Sequence, residues 1–156
     1  MIDNDLFRAL LGRFASGVTV VTARSESGAP HGMTVSAFSS LSLDPPLILV
    51  CIGNDATMAP VMARAGTFMV NILSDRQEAL SRRFASPGCD RFDGIGYMDK
   101  PGDPRLNDVL AWMQCDVVSR VPAGDHVICI GSVTAAGVND GRPLLYYRGG
   151  YATLER

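Results

Sequence analysis

A chain of 156 residues fits a single domain spanning residues 1–156, long enough to bury more than half of the surface its unfolded form would expose. Hydrophobic residues at 47% and charged residues at 19% exclude a disordered chain. A formal charge of -2, without a run of Lys or Arg, argues against a phosphate-backbone footprint, so no nucleic acid partner is expected.

Asp3 and Asp5 suit the cap of a short helix in which Leu6, Leu10, Leu11 and Phe14 recur at helical spacing, so that helix should pack on something. Gly17 opens a β-branched run over 18–22, and Gly and Pro within 25–30 supply a turn, which predicts a strand and hairpin. Residues 31–43 read as a strand with a polar face, ended by Asp44-Pro45-Pro46, which interrupts any ladder. The continuous apolar run 47–52 reads as a strand covered on both faces. Met58, Val61, Met62 and Ala65 space a helix within 54–66, with Pro60 confined to its first turn. Residues 67–73 form a further strand, and 74–85 a helix capped by Ser74, with Leu80 and Phe84 four apart. Residues 86–104 hold much of the Gly, Pro and Asp and make an irregular excursion. Strands fill most of 113–121, 126–138 and 144–153, with turns at 122–125 and 139–143.

The count is six or seven strands with two or three helices. Many strands are consecutive, which favours a closed or partly closed barrel over a doubly wound sheet. No Gly-x-Gly-x-x-Gly turn stands between a strand and a helix, so no Rossmann site is expected. Cys51, Cys89, Cys115 and Cys129 occur singly, without His at a spacing that suits zinc, so no metal site is expected and the compartment should be reducing. The first residues lack a basic region leading into an apolar one, and no apolar stretch approaches the ~20 residues of a membrane span. A soluble, cytoplasmic protein without a membrane partner is the expectation.

Two stretches carry a resemblance: Phe14-Ala15-Ser16-Gly17-Val18-Thr19-Val20-Val21-Thr22, and Gly32-Met33-Thr34-Val35-Ser36-Ala37-Phe38 continuing through Asp44-Pro45-Pro46. Further blocks follow in order at Phe68-Met69-Val70-Asn71-Ile72-Leu73, Gln77, Leu80-Ser81, Phe84-Ala85 and Gly124-Asp125-His126. Together they resemble the short-chain flavin reductase family, whose fold is the FMN-binding split β-barrel, mainly β with a few helices and Greek-key-like. The resemblance implies an NAD(P)H:flavin oxidoreductase that passes hydride from NADH or NADPH to FMN or FAD. It also implies a homodimer, both subunits bordering each flavin site, and a flavin-dependent monooxygenase that receives reduced flavin by diffusion. Whether the flavin is a substrate or a held group stays open.

In such a reaction the protein supplies geometry and hydrogen-bond donors while the cofactors carry the chemistry. Thr34, Val35, Ser36 and Ala37 combine small side chains with short hydroxyls, letting main-chain N–H groups approach the edge of a planar ring; the bland alternative is a polar strand face. Asn54 and Thr57 suit the flavin phosphate at a helix start, or simply cap that helix. Cys51 and Ile52 resemble family positions lining the ring or ribityl chain, and fit a core equally well. Arg83 reaches the flavin phosphate in one reading, and in the other joins Arg82 in complementing a helix end. Phe84 would pack near the ring or the adenine. His126 is assigned to nicotinamide orientation, although Gly124-Asp125 alone would make a hairpin turn. Tyr151 resembles a position near the flavin, or closes a barrel end. His31 reads as an ordinary loop histidine. Two rival functions use the same fold, a non-catalytic flavin- or haem-binding module and an oxidase of the pyridoxamine-phosphate type; Gly124-Asp125-His126 weighs towards the reductase.

Overall fold

The computed structural model describes residues 1–88 and 90–155, so Cys89 lies outside the described residues. The chain runs α1 (Asn4–Leu11), β1 (Ser16–Gly17), β2 (Thr19–Arg24), β3 (Pro30–Val35), β4 (Phe38–Ser42), β5 (Leu47–Gly53), α2 (Ala59–Arg64) and β6 (Thr67–Ile72). It continues through α3 (Glu78–Ala85), β7 (Tyr97–Met98), β8 (Arg105–Leu106), β9 (Ala111–Ala123), β10 (His126–Val138), β11 (Leu144–Tyr147) and β12 (Gly150–Thr153). Seven strands form one antiparallel sheet in the order β3-β2-β6-β9-β10-β5-β4, which agrees with the expected strand number. The short strands make two small sheets, β1-β11-β12 and β7-β8.

The strand order explains the barrel. The sheet begins with β3 and ends with β4, yet only Ser36 and Ala37 separate these two edge strands in sequence. The step from Val35 to Phe38 spans at most about 11 Å, so the sheet must curl until these two edges come close. No ladder joins β3 to β4, and the barrel stays split along that seam. A strand ladder there would require paired backbones, and the polar run of 31–43 instead breaks into two strands.

Two apolar clusters lie on either side of β2. Val21 and Ala23 join Val50, Ile52, Phe68 and Val70 inside the curl. Val18 and Val20 face Leu73, Phe84, Phe92 and Leu106 under α3 and the excursion. The strands covered on both faces are therefore β2 and β6. Burial in β5 alternates instead, with Ile48, Val50 and Ile52 inward and Leu49, Cys51 and Gly53 half-buried. Buried polar groups tie down the excursion: Thr22 Oγ1 donates to the Pro104 carbonyl at 2.6 Å, and Leu106 N–H donates to Asn71 Oδ1 at 3.0 Å.

Four other expectations shift. The helix expected from Ser74 starts at Glu78, because Ser74 is bridged to Pro143 across the sheet edge. The helix expected within 54–66 is confined to Ala59–Arg64, with Pro60 in its first turn. Residues 144–153 form a hairpin, its turn made by Arg148 at φ 52° and Gly149 at φ 76°, the left-handed pair that a tight two-residue connection requires. Asp3 caps α1 as expected, accepting from Leu6 N–H at 2.8 Å, but none of the residues of α1 is buried in the chain.

Candidate active site

The seam sets exposed backbone beside ordered strands. Val35 is buried, whereas Ser36 and Ala37 are exposed. Phe38 N–H donates to the Ser36 carbonyl at 2.9 Å, and Cys51 N–H donates to the Ala37 carbonyl at 3.0 Å. Those bonds fix both peptides through their carbonyls. No described residue accepts from the N–H groups of Ser36 and Ala37, so two adjacent main-chain donors face outward between small side chains. Such donors suit the acceptor edge of a planar heteroaromatic ring.

β5 carries this edge to a second group. Cys51 and Gly53 share the outward face of β5, two residues or about 7 Å apart. Gly53 is the cross-strand partner of His126, and His126 Nε2 lies 3.7 Å from where a Gly53 Cβ would stand. The imidazole therefore lies over Gly53, on the same face as Cys51, with its side chain 48% exposed. It sits there because Gly124, at φ 60°, turns β9 directly into β10. Asp125 Oδ1 lies 2.7 Å from His126 Nδ1. The ionised carboxylate only accepts, so Nδ1 carries the proton and Nε2 is left facing the site. The hydrogen bond from His126 holds the Asp125 carboxyl below the usual carboxylate range, with the charge of the imidazole acting the same way. The Asp125 carbonyl also accepts from Asn54 N–H at 2.9 Å.

A third group joins through α3. Thr34 Oγ1 donates to the Ser81 carbonyl at 2.6 Å, and the Ser81 hydroxyl meets Tyr151 OH at 2.7 Å. The Arg82 guanidinium stands 4.8 Å over the Tyr151 ring and is paired with Glu78 at 2.8 Å.

The structure thus lines up Thr34, Ser36, Ala37, Cys51, Asn54 and His126 along the seam and β5, joins Tyr151 to Thr34 through Ser81, and sets others apart. Val35 and Ile52 point their side chains into the core. Phe84, at 0% exposure, packs edge-on against Phe92 with ring centres 5.1 Å apart; it offers no surface to a ligand ring. Arg83 Nε donates to the Arg91 carbonyl and Nη2 to the carbonyls of Asp90 and Asp93, so this fork organises the excursion. Neither Asn54 nor Thr57 caps α2, whose N-terminal residue Met58 makes no side-chain cap. Thr57 instead faces a groove of about 270 Å³ beside His31 and Arg91.

Two residues were given no site role in the sequence reading, although Ser81 stands in the Leu80-Ser81 block. Ser81 lies on the buried stripe Gln77-Ser81-Phe84 of α3, and a hydroxyl at such a position needs a partner; that was the available signal. Gly53 carried no signal before its cross-strand partner was known.

Comparison with known proteins gives this arrangement a family. The chain matches the flavin reductase like domain over residues 11–155. It is 45% identical over 152 residues to a flavin reductase of Pseudomonas putida, covering 96% of this chain and 89% of that protein. It is 40% identical over 148 residues to the reductase component of a 4-nitrophenol 4-monooxygenase/4-nitrocatechol 2-monooxygenase of Rhodococcus opacus, covering 95% and 80%. Its fold superposes with a TM-score of 0.93 on an NADH:FAD oxidoreductase of Streptomyces globisporus C-1027 solved with NAD and FAD fragments, at 32% identity and covering 99% and 96%. The chain belongs to the flavin reductase like domain family.

Proposed function

We propose that this protein is an NAD(P)H:flavin oxidoreductase whose ring site lies along the seam between β3 and β4. The observation that carries the reading is the pair of unpartnered Ser36 and Ala37 amides on the same end of the sheet as His126. A flavin edge is rich in carbonyl and ring-nitrogen acceptors, and these donors match it; Cys51 and the adjoining small residues leave room for a flat group. When bound, the flavin supplies the acceptor ring for the hydride that NADH or NADPH gives up.

The remaining work belongs to the chain's own groups. The two amides stabilise negative charge at the ring edge, where no side-chain nucleophile is needed. His126, oriented by Asp125, presents Nε2 to the nicotinamide and positions it without acting as a general base. Tyr151, fixed through Ser81, bounds the side opposite β5. Asn54, exposed at the end of β5, serves the ribityl or phosphate end. The seam residues would hold the ring of either FMN or FAD, and His126 would orient the nicotinamide of either NADH or NADPH.

The open site suits release of reduced flavin, by diffusion, to a separate flavin-dependent monooxygenase. One relative of this chain is itself a monooxygenase reductase component. The same reading implies a homodimer, which the exposed apolar face of α1 supports, and a cytoplasmic setting, where NAD(P)H is made. No described helix is long and apolar enough to cross a membrane.

Steady-state oxidation of NADH and NADPH, each with FMN and with FAD, tests the proposal. Rapid oxidation that depends on added flavin is expected. Flavin binding without nicotinamide oxidation would leave only a storage or sensing module.

A further inference from the structure

We propose that Ser81 is a positioning residue for the ring site, joining the seam to the C-terminal hairpin; this rests on the flavin-reductase reading above. Thr34 stands in β3, two residues before the seam amide of Ser36, and Tyr151 stands in β12. These strands belong to different sheets and share no ladder. One residue of α3 links them. The Ser81 main-chain carbonyl accepts from Thr34 Oγ1, and its side-chain hydroxyl is bonded to Tyr151 OH.

The rest of α3 makes that link rigid. Ser81 is fully buried, so water does not compete for its hydroxyl. Four residues earlier, Gln77 Nε2 donates to the Asn107 carbonyl at 2.9 Å and Gln77 Oε1 accepts from Ser74 N–H at 2.9 Å. Three residues later, Phe84 is wedged against Gly32 of β3. The neighbouring Arg82 covers the Tyr151 ring while Glu78 holds the guanidinium, and Tyr146 meets the same ring edge-on at 5.3 Å. Tyr151 is thus confined by packing on its faces and by a single polar bond at its tip. Removing the Ser81 hydroxyl frees the phenol to swing while Thr34 keeps its bond to the Ser81 main chain.

The consequence is specific. Ser81 acts through Tyr151 on how the ring binds, so its loss should weaken flavin binding more than turnover. Ser81→Ala and Tyr151→Phe are each expected to raise the flavin KM about ten-fold while kcat changes less than about two-fold, the pattern of a lost ground-state contact. Because both remove the same bond, the double variant should be no worse than either single one. Quenching of flavin fluorescence without nicotinamide should show the same order in Kd. Tyr151→Phe keeps the ring and its packing and leaves α3 unchanged, so it decides the matter even where Ser81→Ala fails to fold.

Singles that bind flavin as the wild type does would overturn the inference, and so would effects that simply add in the double variant. Wild-type protein that binds no flavin would overturn the functional reading and this inference with it; wild-type binding with unaltered variants overturns the inference alone.

Discussion

Gly32 and Phe84 meet where β3 passes α3: a Cβ on Gly32 would stand 2.7 Å from Phe84 Cε1 and 3.3 Å from Thr22 Cγ2. Phe84 is fully buried and braced by Phe92, so its ring has nowhere to withdraw. Gly32→Ala is expected to lower the unfolding free energy by about 1–3 kcal/mol, the range for an overpacked core. Since β3 leads from Gly32 to Thr34, flavin binding should weaken too. Urea unfolding curves measure the first effect and flavin fluorescence the second; wild-type stability would mean that α3 rides loosely on β3.

The bond between Asp125 and His126 gives a pH prediction. Hydrogen bonding to His126 lowers the folded pKa of Asp125, so the pair is intact above the usual carboxylate range and is lost as pH falls through the lowered value. Above that value Asp125 stays ionised, so NADH affinity should fall only as pH drops through the lowered value and the pair with His126 is lost. That dependence should vanish in His126→Ala, whose nicotinamide affinity falls more than its flavin affinity. Asp125→Asn should raise the NADH KM several-fold while leaving the melting temperature nearly unchanged, because the carboxylate is fully exposed. Unchanged NADH kinetics in both variants would remove this histidine from the site.

Arg83 should prove structural. Its guanidinium gathers three carbonyls at Asp90, Arg91 and Asp93, and hydrogen bonds from a charged donor contribute about 1.5–3 kcal/mol when partly sheltered. Water replaces some of that in Arg83→Ala, so a loss of about 1–2 kcal/mol is expected in thermal melts, with faster proteolysis between 86 and 104. The flavin Kd should move by less than about three-fold. A Kd weakened a hundred-fold at wild-type stability would restore Arg83 to the phosphate.

These cases show what a linear reading captures. The barrel was legible because consecutive β-branched runs leave few other packings, and residues 34–37 were marked by small side chains within a recognisable block. Ser74 misled for a physical reason. Ser74 and Gln77 have the spacing of a capping box, and the Gln77 side chain does bond Ser74 N–H, but the bridge from Ser74 to Pro143 holds that residue extended beside the segment leading into β11 and delays the helix to Glu78. Arg82 and Arg83 look alike at a helix end; only the fold shows that the following loop supplies carbonyls to Arg83 while β12 supplies the Tyr151 ring to Arg82. In β5 a continuous apolar run suggested two covered faces, yet the outward one carries Cys51 and Gly53, where an open site needs surface.

The thiols should separate by burial. Burial pushes Cys115 up to about 12, with Asp116 and Asp103 adding to the shift, and burial also raises Cys129. Both therefore stay protonated and inert at neutral pH. In a Cys89→Ser background, a thiol reagent is expected to label half-buried Cys51 first, to slow flavin reduction as it does so, and to be hindered by bound flavin. Cys115 and Cys129 should react only on unfolding. The same raised pKa values favour the folded state fully below the ordinary thiol range, and this contribution falls as pH rises towards 12, because the unfolded chain ionises first. Equal labelling of Cys51 with and without flavin would place the ring elsewhere.

α1 presents Leu6, Phe7, Leu10 and Leu11, each about half exposed, and Phe14 beyond it is 82% exposed. Arg148 N–H donates to the Gly12 carbonyl at 2.9 Å, so the helix is tethered at one end while none of its residues is buried by the described chain. Burying one such side chain is worth about 1.5–3 kcal/mol, enough for several together to hold two subunits. Sedimentation should find a dimer for the native chain and a monomer for Leu10→Glu combined with Phe7→Glu. The far-ultraviolet circular dichroism of that variant should stay close to native, since no buried residue of α1 is removed. Flavin affinity should fall as the dimer is lost, because both subunits border each site in this reading, and a monomeric variant with native flavin affinity would show that one chain completes the site alone.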